Sequence, residues 1–189
     1  PNFNPLQSAY RKHHSTETAL LNTLNHVYSA ADNSQPTILV SLDLSAAFDT
    51  IDHGILLSRL HSEFGVSGAA LEWIRSYLTG RSQRVTVGHS HSSYQSVTSG
   101  VPQGSVLGPL LFTCYISPAG HLINSFGIFH QQYADDMQLF IEMSSNAAAT
   151  AIHQLERCLS ALHCWLSLNG LSLNPDKSEA IWLSTVQRS

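Results

Sequence analysis

Residues 37–44, Thr-Ile-Leu-Val-Ser-Leu-Asp-Leu, constrain the fold more than any other stretch of this chain. A near-continuous β-branched and apolar run of this length is expected as a central strand buried on both faces. It runs into Asp43, and an ionised carboxylate at the end of a buried strand is strongly unfavourable without a partner. The strand therefore demands sheet neighbours, helices to cover it, and something at its end to hold the charge. With 189 residues and 43% hydrophobic side chains, the chain is long enough for one well-buried domain. It has no run of eighteen apolar residues, which excludes a membrane-spanning helix. The opening residues show neither a signal-peptide stretch nor an initiator Met, so the chain is expected to be a piece of something longer.

Around that strand the pattern alternates helix and hairpin. Leu20, Leu21, Leu24, Val27, Tyr28 and Ala31 follow a helical period behind Ser15 as N-cap, and Gln35-Pro36 ends it. Ile55, Leu56, Leu60 and Phe64 mark a second helix that stops at Gly65, with Asp49 and Asp52 near its favourable N-terminal end. Ser67 caps a third, with Leu71, Ile74, Tyr77 and Leu78 inward and Gly80 as terminator. Residues 83–98 predict a hairpin whose loop runs from Gly88 to Ser93. A glycine-rich turn then leads into an apolar helix capped by Ser105, and residues 128–142 predict a second hairpin with Ala134-Asp135-Asp136 at its tip. Ala148, Ile152, Leu155, Leu159, Leu162 and Leu166 give a long amphipathic helix ended by Asn169-Gly170. Two short strands, 171–173 and 180–183, flank an Asn174-Pro175-Asp176-Lys177 turn. The fold class is α+β: helices packed on one face of a mostly antiparallel sheet.

Two carboxylate sites stand where acids are costly. Asp43 ends the buried strand, and Asp135-Asp136 sets like charges side by side between apolar strands, repulsive unless a cation neutralises them. Nucleotidyl transfer needs such an arrangement, because two Mg²⁺ ions held by hard oxygens can polarise an attacking hydroxyl and stabilise a leaving pyrophosphate. The bland alternatives are a helix cap for Asp43 and an ordinary turn for the pair. Cys114, Cys158 and Cys164 lack zinc-finger spacing and are expected as buried or half-buried free thiols in a reducing compartment. The eleven histidines are scattered, and His89-Ser90-His91 falls in the hairpin loop without a nearby partner. The net charge of −4 counts against a nucleic-acid binder, although five of the thirteen acids lie in the two segments where cations would offset them.

These residues carry a family resemblance. Leu42-Asp43-Leu44-Ser45-Ala46-Ala47-Phe48-Asp49-Thr50-Ile51-Asp52-His53 resembles the first catalytic motif of reverse transcriptases. Ser99-Gly100-Val101-Pro102-Gln103-Gly104-Ser105-Val106-Leu107-Gly108-Pro109 resembles the second, Tyr133-Ala134-Asp135-Asp136 the third, and Leu173-Asn174-Pro175-Asp176-Lys177 the fourth. Residues 10–18, Tyr-Arg-Lys-His-His-Ser-Thr-Glu-Thr, look like the end of the fingers region, and the AFDTIDH and HSTETAL stretches look most like enzymes of non-LTR retrotransposons. The resemblance implies a right-hand polymerase palm with part of the fingers: residues 1–35 ending the fingers, 36–189 mainly palm, and the thumb absent. It implies that Asp43, Asp135 and Asp136 ligate two Mg²⁺ ions (Mn²⁺ as a substitute), with the Leu44 carbonyl assisting. Phe48 would lie under the incoming sugar and screen against a 2′-hydroxyl; Gln103 and Gly104 would contact the nascent pair and template. Lys177 would serve as proton donor near the pyrophosphate, and Arg11 would reach the triphosphate.

Implied partners are an RNA template, a DNA primer, dNTPs, and the fingers and thumb segments of a parent polyprotein. The primer grip is expected to start near Ser184 and to be cut short. Each role has a plainer counterpart: Phe48 as core, the Pro102-Gln103-Gly104 run as a turn, Lys177 as a solvated lysine. At the level of the whole chain the alternatives are an inactive retrotransposon-derived remnant and a group II intron maturase.

Overall fold

The computed structural model describes residues 3–144 and 146–184. Its centre is a four-stranded antiparallel sheet built on the strand that the sequence demands. That strand, β1 (Thr37–Ser45), lies between β7 (Asp136–Glu142) and β8 (Ser172–Leu183), and β6 (Phe129–Tyr133) pairs with the outer side of β7. Alternation sends Val40, Leu42, Leu44, Met137, Leu139 and Ile141 to one face, all buried in the main core. Helices α4 (Leu107–Ser125) and α5 (Ala148–Leu168) cover that face, as expected; α2 (His53–Ser62) packs outside α4, and α3 (Gly68–Leu78) outside α2. Helix α1 (Thr16–Asp32) crosses the other face.

The helix signals act as the sequence suggests. Ser15 accepts from the Thr18 amide and closes a capping box, Asp52 accepts from Ile55, and Gly65, Gly80 and Gly170 take positive φ just past helix ends. Helix α4 begins two residues after Ser105, yet the Ser105 hydroxyl still accepts from the Gly108 amide at 3.0 Å. A polar staple ties the helices together. Arg59, 8% exposed, donates to the Tyr115 carbonyl and to Asn169 Oδ1 at 2.7 Å, and the Tyr115 hydroxyl donates to the Asn169 carbonyl at 2.6 Å.

Four expectations need correction. The apolar stripe of α1 is not its packed face: Leu20, Leu21 and Tyr28 are 57%, 59% and 61% exposed, while Ala19, Thr23 and Ala30 are buried. The helix lies on the polar side of the sheet, where Asn22 donates to Gln131 and Thr23 to Gln138. The hairpin of residues 83–98 is two short ladders, β2 (Arg81–Gln83) with β5 (Gln95–Val97) and β3 (Thr86–Val87) with β4 (Ser90–His91). Its tip is therefore Gly88-His89, and Ser90-His91 is paired rather than looped. The two C-terminal strands are one: β8 pairs with β1 on both sides of an irregularity that sets Asn174 opposite Asp43 and Glu179 opposite Ser41. The Pro175–Ser178 stretch bulges out of the ladder instead of reversing the chain. Finally, Cys164 is exposed, while Cys114 and Cys158 are buried.

Candidate active site

The β1–β7 register brings the acids together. Leu42 pairs with Met137, so Asp43 and Asp136 come next on the two strands, on the face opposite the core. The hairpin turn is tight, since Tyr133 pairs with Asp136 and only Ala134 and Asp135 connect them. Ala134 holds φ at 55°, a left-handed conformation that disfavours a side chain. Both of its backbone polar groups are satisfied by one side chain, as Ala134 N donates to Gln7 Oε1 at 2.9 Å and Gln7 Nε2 donates to the Ala134 carbonyl at 3.0 Å.

Asp43 is embraced from β8. Asn174 Nδ2 donates to Asp43 Oδ2 at 3.0 Å, the Asp43 amide donates to Ser178 Oγ at 3.3 Å, and Lys177 Nζ stands 4.0 Å from Oδ2. The Lys177 side chain is 70% exposed, so this ion pair is loose and well screened. The Asp136 carboxyl is pushed up by partial desolvation and then by the negative charges of Asp135 and Asp43, with Lys177 opposing. Surplus negative charge on closely set hard oxygens suits a hard divalent cation. Among the described residues, no three His, Cys, Asp or Glu side chains form a ready-made ligand set. The donor types and charge fit a metal, while the ligand shell is not preassembled.

The loop from Ser99 to Gln103 is stitched to the segment after β1. Val101 N donates to the Phe48 carbonyl at 2.9 Å, Gly100 N to the Ile51 carbonyl at 2.8 Å, and Gln103 Nε2 to Asp49 Oδ1 at 2.9 Å. Gly100, at φ 80°, lies so close that an added Cβ would sit 2.8 Å from the Asp49 carbonyl oxygen. Between this loop and the β2–β5 ladder runs a polar groove of about 590 Å³, lined by Asp49, Arg81, Gln83, Ser99 and Gln103 among others. The Phe48 ring stacks on Phe112, its centroid 4.5 Å away, at the border of the core. Gln103 and Gly104 are exposed, Gly104 with φ 75°. The Leu44 side chain is buried in the core, which leaves only its backbone for the site.

Arg11 Nη1 donates to the carbonyls of Asn4, Pro5 and Gln7, so in this structure the guanidinium organises the N-terminal loop. Asn174, Ser178, Asp49 and Gln7 were not singled out as contacts from sequence. Asn174 and Asp49 lie within the motif stretches quoted above; Gln7 and Ser178 lie outside them.

An antiparallel sheet with helices behind it and carboxylates at the end of its central strand is the palm of a right-hand polymerase. Solved telomerase structures share this fold: that of Candida albicans superposes with a TM-score of 0.70 at 16% identity, covering 92% of this chain and 31% of that one. The apo telomerase of Candida tropicalis gives 0.66 at 13% identity, over 96% of this chain and 34% of its own. The chain belongs to the reverse transcriptase (RNA-dependent DNA polymerase) family, whose model matches residues 1–187.

Its relatives are polymerases of non-LTR retrotransposons. They include the probable RNA-directed DNA polymerase from transposon BS of Drosophila melanogaster, 32% identical over 177 residues and 91% of this chain. The RNA-directed DNA polymerase from mobile element jockey of the same fly is 29% identical over 90% of the chain, and the retrotransposable element R2 polyprotein of Popillia japonica 26% over 78%. The chain spans about a fifth of the length of the first two, 19% of each. Members of the family generally work with divalent metal ions on nucleic-acid substrates.

Proposed function

We propose that this chain is the polymerising core of an RNA-directed DNA polymerase of a non-LTR retrotransposon, extending a DNA primer on an RNA template with dNTPs. In this reading residues 1–35 close the fingers side and 36–189 form mainly palm. One observation carries it: Asp43 and Asp136 share a sheet face beside Asp135, where partial burial and then the neighbouring negative charges raise the Asp136 carboxyl. These carboxylates would hold two Mg²⁺ ions, or Mn²⁺ in their place. When bound, such ions activate a 3′-hydroxyl and stabilise the leaving pyrophosphate.

The remaining work falls to the chain. Asn174 fixes one oxygen of Asp43 and so orients the carboxylate. Lys177, on the bulge of β8 and 4.0 Å from Asp43 Oδ2, would give up that oxygen and protonate a departing phosphate oxygen. Gln103 and Gly104 line the nascent pair, and the Leu44 carbonyl completes the ligand oxygens. The Phe48 ring, backed by Phe112, forms the floor under the incoming sugar.

The test uses the full-length polymerase that contains this segment. Asp135→Asn is expected to lower primer extension roughly 100-fold or more while leaving RNA binding largely intact. In parallel, Mg²⁺ should raise the Tm of the wild-type chain and not of Asp135→Asn. Retained extension in the variant would refute the assignment. Phe48→Val should raise ribonucleotide use relative to dNTP use, scored as a ratio of kcat/KM values. An unchanged ratio with lower stability would return Phe48 to a packing role.

A further inference from the structure

We propose that Gln7 is a positioning residue for the acidic turn, holding the Asp135-Asp136 backbone in the one conformation that presents both carboxylates beside Asp43. The inference rests on the polymerase reading and names a group outside the motif stretches quoted above.

The argument begins with the turn. A two-residue connection between β6 and β7 needs a residue with positive φ, and the sequence supplies Ala134 where glycine or asparagine would be at ease. An L-residue in that region is disfavoured by roughly 1 kcal/mol, so other contacts must hold it there. Gln7 provides them. Its side-chain amide spans the Ala134 peptide groups as a neighbouring strand would, accepting from N–H and donating to C=O at 2.9 and 3.0 Å.

Gln7 is itself fully buried, so these bonds are not diluted by water. The Gln7 backbone is fixed as well: it bridges Gln132 as a parallel pair, flanked by Gln132 N to the Leu6 carbonyl at 3.0 Å and Ser8 N to the Gln132 carbonyl at 2.9 Å. A second contact ties that loop down, since the Ala9 amide donates to Gln7 Oε1 at 3.0 Å. The carboxylates of Asp135 and Asp136 hang directly from the turn that this amide pins. Because they repel each other, the turn would relax to separate them if it were released.

Groups that orient ligands from behind commonly set metal affinity within a factor of 10 to 100. The experiment measures the Mg²⁺ concentration for half-maximal primer extension by the full-length polymerase, and the Mg²⁺-induced rise in Tm of the 189-residue chain. Gln7→Met keeps the volume and loses both bonds to Ala134 together with the one from the Ala9 amide. It should raise the half-saturating Mg²⁺ roughly tenfold and flatten the Tm response to match. Gln7→Asn, which keeps the amide but is one methylene shorter, should do the same to a smaller degree and carries the test if Gln7→Met does not fold.

Ala134→Gly supplies the decisive comparison. Glycine adopts positive φ without strain, so in that background Gln7→Met should shift half-saturation by only about two- to threefold. A purely structural role would lower Tm in every variant and leave the Mg²⁺ dependence where it was; that result overturns the inference. Asp135→Asn run alongside separates the two claims. Loss of the Mg²⁺ response there, with none in Gln7→Met, removes Gln7 alone. A normal response in Asp135→Asn removes the metal reading and the positioning role with it.

Discussion

Along β6, Asn4, His130 and Gln132 form a buried polar seam; near the C-terminal end of β1, Asp43, Asp135 and Asp136 form an open acidic cluster. In the seam, Asn4 Nδ2 donates to His130 Nε2 and to Gln132 Oε1, both at 3.0 Å, and Asn4 Oδ1 accepts from the Leu6 amide. Asn4 is so tightly seated that an added Cβ on Gly120 would sit 2.3 Å from its amide nitrogen. Every group there is neutral, and nearly all are paired. Burial drives the His130 pKa down to about 4, with the nearby His121 adding to the effect. The acidic cluster is the reverse, with like charges, partial exposure, and one loose lysine as counter-charge. A satisfied neutral network stabilises a fold, whereas charges left facing one another await a ligand.

The seam offers the largest effect that would break this contrast. Asn4→Ala strands His130 Nε2, Gln132 Oε1 and the Leu6 amide, and should cost about 3 kcal/mol in chemical denaturation. A loss below about 0.5 kcal/mol would mean that water replaces Asn4 easily and the seam is not structural.

Next comes pH. The folded His130 value lies below the ordinary 6.5, so the unfolded chain takes up this proton first as the pH falls. The contribution is fully present above pH 6.5 and declines towards about 4. Between pH 7 and 5 it should amount to about 2 kcal/mol, and His130→Gln should abolish that share of the pH dependence. An identical pH profile in the variant would assign the loss to other groups.

The smallest effect belongs to the acids. Without metal, Asp136→Asn should stabilise the chain, by under about 1 kcal/mol because the side chain is exposed. Destabilisation instead would mark the acidic cluster as structural and dissolve the comparison.

Much of the site was legible in the sequence for reasons that act over short distances. The buried character of residues 37–42, the Ala134-Asp135-Asp136 hairpin tip, the Ser15 and Asp52 caps and the Asn169-Gly170 stop all follow from local periodicity and turn chemistry. The order of the four motifs was equally legible, and with it the family.

Packing decided the rest. The outward apolar stripe of α1 depends on which sheet face the helix meets, and that face is polar at Gln131 and Gln138. The continuity of β8 depends on β1 accepting it on both sides of a bulge, which no turn signal in Asn174-Pro175-Asp176-Lys177 could announce. Arg11 could serve phosphate or carbonyls equally well by its chemistry, and only the fold of the N-terminal loop brings the carbonyls of Asn4 and Gln7 to it. The bond from Gln7 to Ala134 spans 127 positions. A side-chain amide offers an NH₂ donor group and a carbonyl acceptor whatever its neighbours in sequence, so only the tertiary structure could bring it to that turn.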